Sequence, residues 1–146
     1  MGWTTGLITG LAELLATSGV GVWRPDGGYD AADVAIVAGP SLPQAPDQVI
    51  CLTPYVLPGD LPGMTETTVG VQVRCRGTAD PRVAEDLADA VRDQLHGLSG
   101  VDLGGVPVSQ MWRQSGTPIG PDGNHRALRL DNYYVQANRA SIHTTD

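Results

Sequence analysis

The chain has 146 residues, a formal net charge of −7 and a sequence pI near 4.7, which is the size of one domain. Its nine basic residues are all arginine, and this acidic balance argues against a grip on DNA or RNA, because such binding depends on cations that neutralise phosphates. No apolar run is long enough to cross a bilayer, and the N-terminus lacks the positive flank of a signal peptide. We therefore expect a protein that is made and assembled in the cytoplasm, with no membrane partner.

Two helices are predicted from apolar residues at helical spacing. The first covers residues 4–17, where glycines at positions 6 and 10 would allow another backbone to approach closely. The second covers residues 81–96, with Asp80 as N-cap, Pro81 at the first helical position and Gly97 at the end. Because its carboxylates fall opposite its valines and leucines, this second helix is amphipathic.

Extended segments fill most of the remaining chain. The strand over 66–76 is the clearest, because Val69, Val71, Val73 and Cys75 alternate with polar residues. The other extended segments are 21–24, 32–37, 47–53, 101–112 and 126–138. The last changes its alternation, which a bulge near residues 131–132 would reconcile.

This order of elements predicts an α+β fold with a mostly antiparallel sheet of four to five strands packed with two helices. We expect one domain over residues 1–139 and a flexible C-terminal tail over 140–146. Two Pro- and Gly-rich segments, 38–46 and 54–63, are predicted to be irregular. Residues 114–125 are predicted to form a long polar hairpin loop, a kind of segment that often carries binding function.

Cys51 and Cys75 are interpreted as buried apolar residues, and a disulfide would require their strands to be neighbours. The three histidines, His96, His125 and His143, form no metal-binding pattern with them. Nothing in the sequence places a nucleophile beside a base. We therefore expect no catalytic residue, no metal and no cofactor.

A basic stripe would form if the strands over 66–76 and 126–138 pair, because together they carry four arginines: Arg74, Arg76, Arg126 and Arg129. One interpretation is an ordinary solvated sheet face. The other is an ionic interface in which Arg74, Arg76 and Arg129 meet the helix carboxylates Glu85, Asp86 and Asp89 of a second copy, since the guanidinium fork pairs carboxylates at two points.

Much of the chain resembles the minor capsid or tail terminator family of tailed bacteriophages, especially those that infect actinobacteria. The residues that carry this resemblance are Leu52–Tyr55, Val69–Gly77, Asp80–Arg82 with the following helix and Gly97, Gly116–Asp122 and Arg129–Val135.

The resemblance implies a structural virion protein at the head-proximal end of the tail, assembled in the host cytoplasm. Such a protein closes as a homo-oligomeric ring, typically six-fold, on the completed tail tube and offers a joining surface to the head–tail connector protein. DNA would pass through its channel without specific binding. The resemblance also implies a contact with tube or connector, and the residues expected to make it are Gly116, Thr117, Pro118, Ile119 and Asp122. The alternatives are a head-completion or adaptor protein between portal and tail, or a small cytoplasmic enzyme or ligand-binding domain.

Overall fold

The computed structural model describes residues 1–144, so the end of the predicted flexible tail lies outside the described residues. The chain order is α1 (Trp3–Thr17), β1 (Val22–Trp23), β2 (Ala35–Ala38), β3 (Val49–Val56), β4 (Glu66–Arg76), α2 (Pro81–Leu95), β5 (Ser99–Leu103), β6 (Val106–Ile119) and β7 (Leu128–Asn138).

The strands form one curled, half-barrel sheet in the order β1-β2-β3-β4-β7-β6-β5. The β1–β2 and β2–β3 pairs are parallel, and all other pairs are antiparallel. The prediction of four to five mostly antiparallel strands is therefore wrong, although the fold is α+β with two helices.

The prediction failed at two places. The segment predicted as one strand over 101–112 is a hairpin, because Gly104 and Gly105 both have positive φ and turn the chain between β5 and β6. At the other edge, β1, β2 and β3 run parallel through the irregular connections 24–34 and 39–48. Alternation of apolar residues reports which face a residue occupies, but it does not report strand direction.

Both helices pack on one face of the sheet, which we call the helix face. Alternate residues of β4, namely Val71, Val73 and Cys75, lie in this core together with the α1 leucines and with Tyr133 of β7. The opposite face, which we call the open face, carries Thr53, Gln72 and Tyr134 among its residues. The predicted alternation of β4 is confirmed.

The docking of α1 depends on two glycines that leave room for the β5–β6 turn. A Cβ on Gly6 would lie 2.6 Å from the Gly104 carbonyl oxygen, and a Cβ on Gly10 would lie 2.5 Å from the Gly104 nitrogen. Leu7, Leu11 and Leu15 are fully buried as a result. The expectation that these glycines permit close backbone approach is confirmed.

The second helix begins as predicted, because the Asp80 carboxylate accepts a hydrogen bond of 3.0 Å from the Arg82 backbone N–H.

The predicted bulge in the last strand is wrong. Pairing of β7 with β4 is continuous, and the register shifts lie in β6, one of them between Arg113 and Ser115. The alternation of β7 changed because Asp131 is buried on the helix face beside Tyr133.

Candidate assembly surfaces

Three of the four arginines lie together at one end of the open face and hold the irregular segment 40–47. Arg76 donates from Nε to the Asp47 carbonyl at 2.9 Å and from Nη2 to the carbonyls of Pro43 at 2.6 Å and Pro46 at 2.8 Å. Arg74 donates to the Pro40 carbonyl at 2.6 Å. These arginines therefore fasten a segment that contains several prolines and has few backbone N–H groups of its own.

Arg126, just before β7, completes this group. It donates from Nη1 to the Gln44 carbonyl at 2.6 Å and from Nε to the Asp122 carboxylate at 2.8 Å. Burial lowers the pKa of the Arg76 guanidinium, the Arg126 charge acts in the same direction, and Asp122 and Asp47 oppose them. The pKa of Asp122 is lowered, because hydrogen bonds from Arg126 and Asn124 outweigh the opposing effect of desolvation.

Arg129 is separated from these arginines because it lies on the helix face. It donates to Glu85 of α2 at 2.7 Å and to the buried Asp131 at 3.1 Å. Burial disfavours the charged guanidinium, but the hydrogen bonds and charges of Asp131 and Glu85 outweigh it and raise the pKa of Arg129. Arg129 and Glu85, predicted to face each other between copies, thus meet within one subunit and join α2 to the sheet.

The remaining carboxylates of α2 point away from the sheet. Asp86, Asp89 and Asp93 are exposed, and their spacing of three and four residues places them on one side of the helix. None of them forms an ion pair within residues 1–144. We call this set the acidic stripe.

The first half of the predicted polar loop 114–125 is strand, because β6 continues to Ile119 and pairs with β7 as far as Leu128. Gly116 faces the Arg129–Asp131 ion pair, and a Cβ there would overlap the Asp131 carboxylate. Thr117, Pro118 and Ile119 are exposed near the hairpin tip. Asp122, in the turn, is engaged by Arg126, so only part of the predicted contact set is free for a partner.

A feature that the sequence did not reveal is an apolar end of the subunit. It is formed where the start of α1, the β3–β4 connection and the end of β7 meet, since the Trp3 indole donates to the Asn138 carbonyl at 2.9 Å and the Arg139 N–H donates to the Thr65 carbonyl at 2.7 Å. Most of the exposed large apolar side chains of the described chain lie here: Met1, Val56, Leu61, Met64 and Ile142. The composition of residues 54–63 predicted an irregular segment, which is wrong for residues 54–56 because β3 continues to Val56. It did not indicate that apolar side chains of this segment are exposed.

The described part of the chain offers little for chemistry. Cys51 and Cys75 are both free and buried, as predicted from their sequence context, and burial raises the pKa of the Cys75 thiol. Residues 1–144 contain no group of three His, Cys, Asp or Glu side chains placed to hold a metal ion. Neither helix in this range is long and apolar enough to span a membrane.

Comparisons with known proteins give a family match and a similar fold. Residues 14–139 match the family described as bacteriophage tail terminator protein. No curated protein sequence matches the chain. Among solved structures, a chain of the virion of a native gene transfer agent particle has a similar fold, with a TM-score of 0.53, 15% identity, and coverage of 88% of this chain and 84% of that chain.

Proposed function

This chain belongs to the bacteriophage tail terminator family, a family of structural virion proteins, and from that premise we propose that copies of it close into a six-fold ring on the last ring of tube subunits. The ring covers the growing end of the tube and offers a different surface to the head–tail connector. Its action is assembly by complementary surfaces, with no bond made or broken and no cofactor.

The observation that carries this proposal is the difference between the two ends of the sheet. One end exposes Leu61 and Met64, which are 66% and 59% accessible. The other end carries the β6–β7 hairpin tip, where the end of β6 leads into the connection 120–127, and the charged residues around it. A cap needs two unlike axial surfaces, because one must bind tube and the other must refuse a further tube subunit.

We assign the apolar end to the tube and the hairpin tip to the connector. Permanent interfaces are more apolar than transient ones, and exposed contiguous apolar patches mark interaction sites. At the tip, Thr117, Pro118 and Ile119 would contact the connector, while Gly116 and Asp122 hold the shape of the hairpin. Net charge of −7 supports a channel that DNA crosses without being held.

Within the ring, neighbours would meet head to tail, since closed rings above two-fold symmetry use two different patches of each subunit. The first proposed patch consists of the open-face arginines Arg74 and Arg76. The second consists of the exposed Asp86 and Asp89 of α2. The two patches lie on opposite faces of the sheet, so one copy can offer each patch to a different neighbour.

The test uses the intact chain with tube protein and connector protein in pull-down and electron microscopy. Leu61→Asp is expected to abolish capping of tubes and leave connector binding, and Ile119→Asp is expected to do the reverse. Leu61 is largely exposed, so its substitution should not disturb folding. Equal binding of both variants to both partners would contradict the assignment.

Deletion of the gene in a phage provides the functional control. Overlong tails without heads indicate a terminator that stops tube growth. Tails of normal length that fail to join heads would instead indicate the head-completion alternative. An enzymatic turnover abolished by a single substitution, in particles whose tails finish normally, would overturn the assembly proposal altogether.

A further inference from the structure

An open cleft of about 530 Å³ lies at the charged end of the open face. We call it the arginine cleft. Its lining includes three guanidinium groups, from Arg74, Arg76 and Arg126, but only one carboxylate, from Asp122. Asp47 pairs with Arg126 from outside the lining, so three guanidiniums meet two carboxylates, a local excess of positive charge in a chain with a net charge of −7.

The most buried of the three arginines has one nitrogen, Nη1, without a hydrogen-bond acceptor in the described chain. Arg76 is 3% accessible, and its Nε and Nη2 atoms are satisfied by backbone carbonyls. The nearest acidic oxygen to Nη1 is Asp122 Oδ2 at 3.9 Å, which is too long for a hydrogen bond. Within residues 1–144, Nη1 therefore has no hydrogen-bond acceptor.

The other two arginines repeat this pattern. Arg126 uses Nε and Nη1 for Asp122, Gln44 and Asp47, and its Nη2 has no acceptor in the described chain. Arg74 donates from Nη2, while its Nε is buried and has no hydrogen-bond partner in the part of the chain that the structure describes. Within residues 1–144, each of the three guanidiniums around this recess thus has at least one nitrogen without a hydrogen-bond acceptor, and that of Arg74 is fully buried.

Donors without an acceptor, beside an excess of positive charge, are satisfied by an anion with several acceptor lone pairs, and a carboxylate offers such lone pairs on two oxygens. Burial is the main cause that lowers the pKa of Arg76, and repulsion from the Arg126 charge adds to it, while Asp122 and Asp47 oppose both. A bound carboxylate would relieve that repulsion. The recess is lined by Leu42 and Leu128 as well, which suits a peptide carboxylate more than a free ion.

The chain itself carries a matching surface. The acidic stripe presents Asp86, Asp89 and Asp93 on one side of α2, exposed and without ion pairs in residues 1–144. Because α2 packs on the helix face and the arginine cleft lies on the open face, one subunit cannot bring the two together. A second copy can.

We propose that the arginine cleft is a carboxylate-binding site that receives aspartates from the acidic stripe of the neighbouring copy. This inference rests on the proposed ring, and it specifies which side chains set the contact between neighbours. The contact is heterologous, and each copy uses its cleft for one neighbour and its stripe for the other.

The test is a charge swap read by assembly of the full-length chain. Arg74→Glu alters the arginine with the fewest structural bonds in the cleft, and Asp89→Arg alters the middle of the stripe. Each single variant is expected to raise the concentration needed for ring formation by at least about tenfold, and the double variant should recover most of that loss, since close interfacial charge pairs couple strongly. Mass photometry and negative-stain microscopy measure the ring fraction.

Glu13→Arg is the matched control, because it makes the same charge change at an exposed site of α1 outside the stripe. Circular dichroism checks that each variant is folded. If Arg74→Glu fails to fold, Asp86→Arg and Asp93→Arg carry the test from exposed helix positions, with a weaker ring expected for both.

The outcomes separate this proposal from the one it rests on. A wild-type chain that forms no ring, alone or on tube ends, overturns the ring and the cleft pairing with it. A ring that tolerates Arg74→Glu and Asp89→Arg as well as Glu13→Arg overturns the cleft pairing and leaves the terminator function standing. Loss of assembly in both single variants without recovery in the double variant also overturns the pairing.

Discussion

The contact between α1 and the β5–β6 turn gives a stability prediction whose sign opposes the general trend. Replacing Gly by Ala inside a helix normally stabilises it by about 1 kcal/mol. At Gly10 the added Cβ would lie 2.5 Å from the Gly104 nitrogen and from the Leu103 carbonyl carbon. Both of these atoms belong to backbone, so neither can rotate away, and α1 must move or the turn must open.

The size of the destabilisation depends on how far α1 or the β5–β6 turn must move to relieve this contact. Ordinary Cβ contacts begin near 3.4 Å, so relief of the overlap requires a displacement approaching an ångström along a helix whose leucines are fully buried. Overpacking of this kind costs about 1–3 kcal/mol, and rigid backbone on one side favours the upper part of that range. After the propensity gain of about 1 kcal/mol, we expect Gly10→Ala to lower the free energy of unfolding by about 2 kcal/mol.

Urea and thermal unfolding followed by circular dichroism measure this change, and the loss corresponds to a Tm decrease of roughly 6 °C for a chain of this size. Gly120→Ala is the control, because nothing lies within 4 Å of its Cβ position and no positive φ is recorded there. It should change stability by a few tenths of a kcal/mol at most. A Gly10→Ala variant as stable as the wild type would refute the argument that α1 docks by backbone contact.

Three further predictions concern buried polar groups. Tyr133→Phe should leave stability unchanged or raise it by about 1 kcal/mol, because the buried hydroxyl has no hydrogen-bond partner among residues 1–144. A loss of more than about 1 kcal/mol in urea unfolding would contradict this. Asp131→Ala should lower the free energy of unfolding by about 3 kcal/mol, because among residues 1–144 it leaves Arg129 with only Glu85 as its acidic partner. Urea unfolding of Asp131→Ala and Glu85→Ala in parallel checks that loss of the buried Asp131 carboxylate destabilises the protein more than loss of Glu85. The pKa of Asp122 is lowered in the folded protein. The stabilisation by the ionised Asp122 carboxylate is therefore fully present above its unfolded pKa of about 3.9 and is lost as pH falls through the folded pKa. The Tm difference between wild type and Asp122→Asn should shrink between about pH 5 and pH 2, and a constant difference would contradict this prediction.

The elements that could be predicted from sequence are those whose signals are local. The bounds of β4, residues 66–76, follow from alternation, and the start of α2 follows from Asp80 and Pro81. Sheet order and strand direction could not be predicted, because they depend on long-range pairing such as that of Ala35 with Val49. The turn at Gly104 and Gly105 did have a local signal, since paired glycines between apolar runs are typical of a hairpin.

The candidate site was harder to predict for the same reason. Alternation in β4 placed Arg74 and Arg76 on one face correctly, but it could not show that residues 40–47 cover that face and bury Arg76. Arg129 was predicted to join them across the paired strands. It lies on the opposite face, because Asp131 and Tyr133 set the alternation of β7 toward the helices.

The burial of Arg76 bears on how a cap can be both stable and able to assemble. An arginine that was wholly exposed would lose much side-chain freedom on docking. The carbonyls of Pro43 and Pro46 already fix the Arg76 fork, so little of that entropy remains to be lost when a carboxylate arrives. Replacing Arg76 by Lys retains the charge but removes the fork, and we expect it to loosen residues 40–47 and weaken ring assembly together. Hydrogen exchange of this segment, measured beside ring formation, would show whether the two losses are coupled, and a variant that loosens the segment but assembles normally would contradict this account.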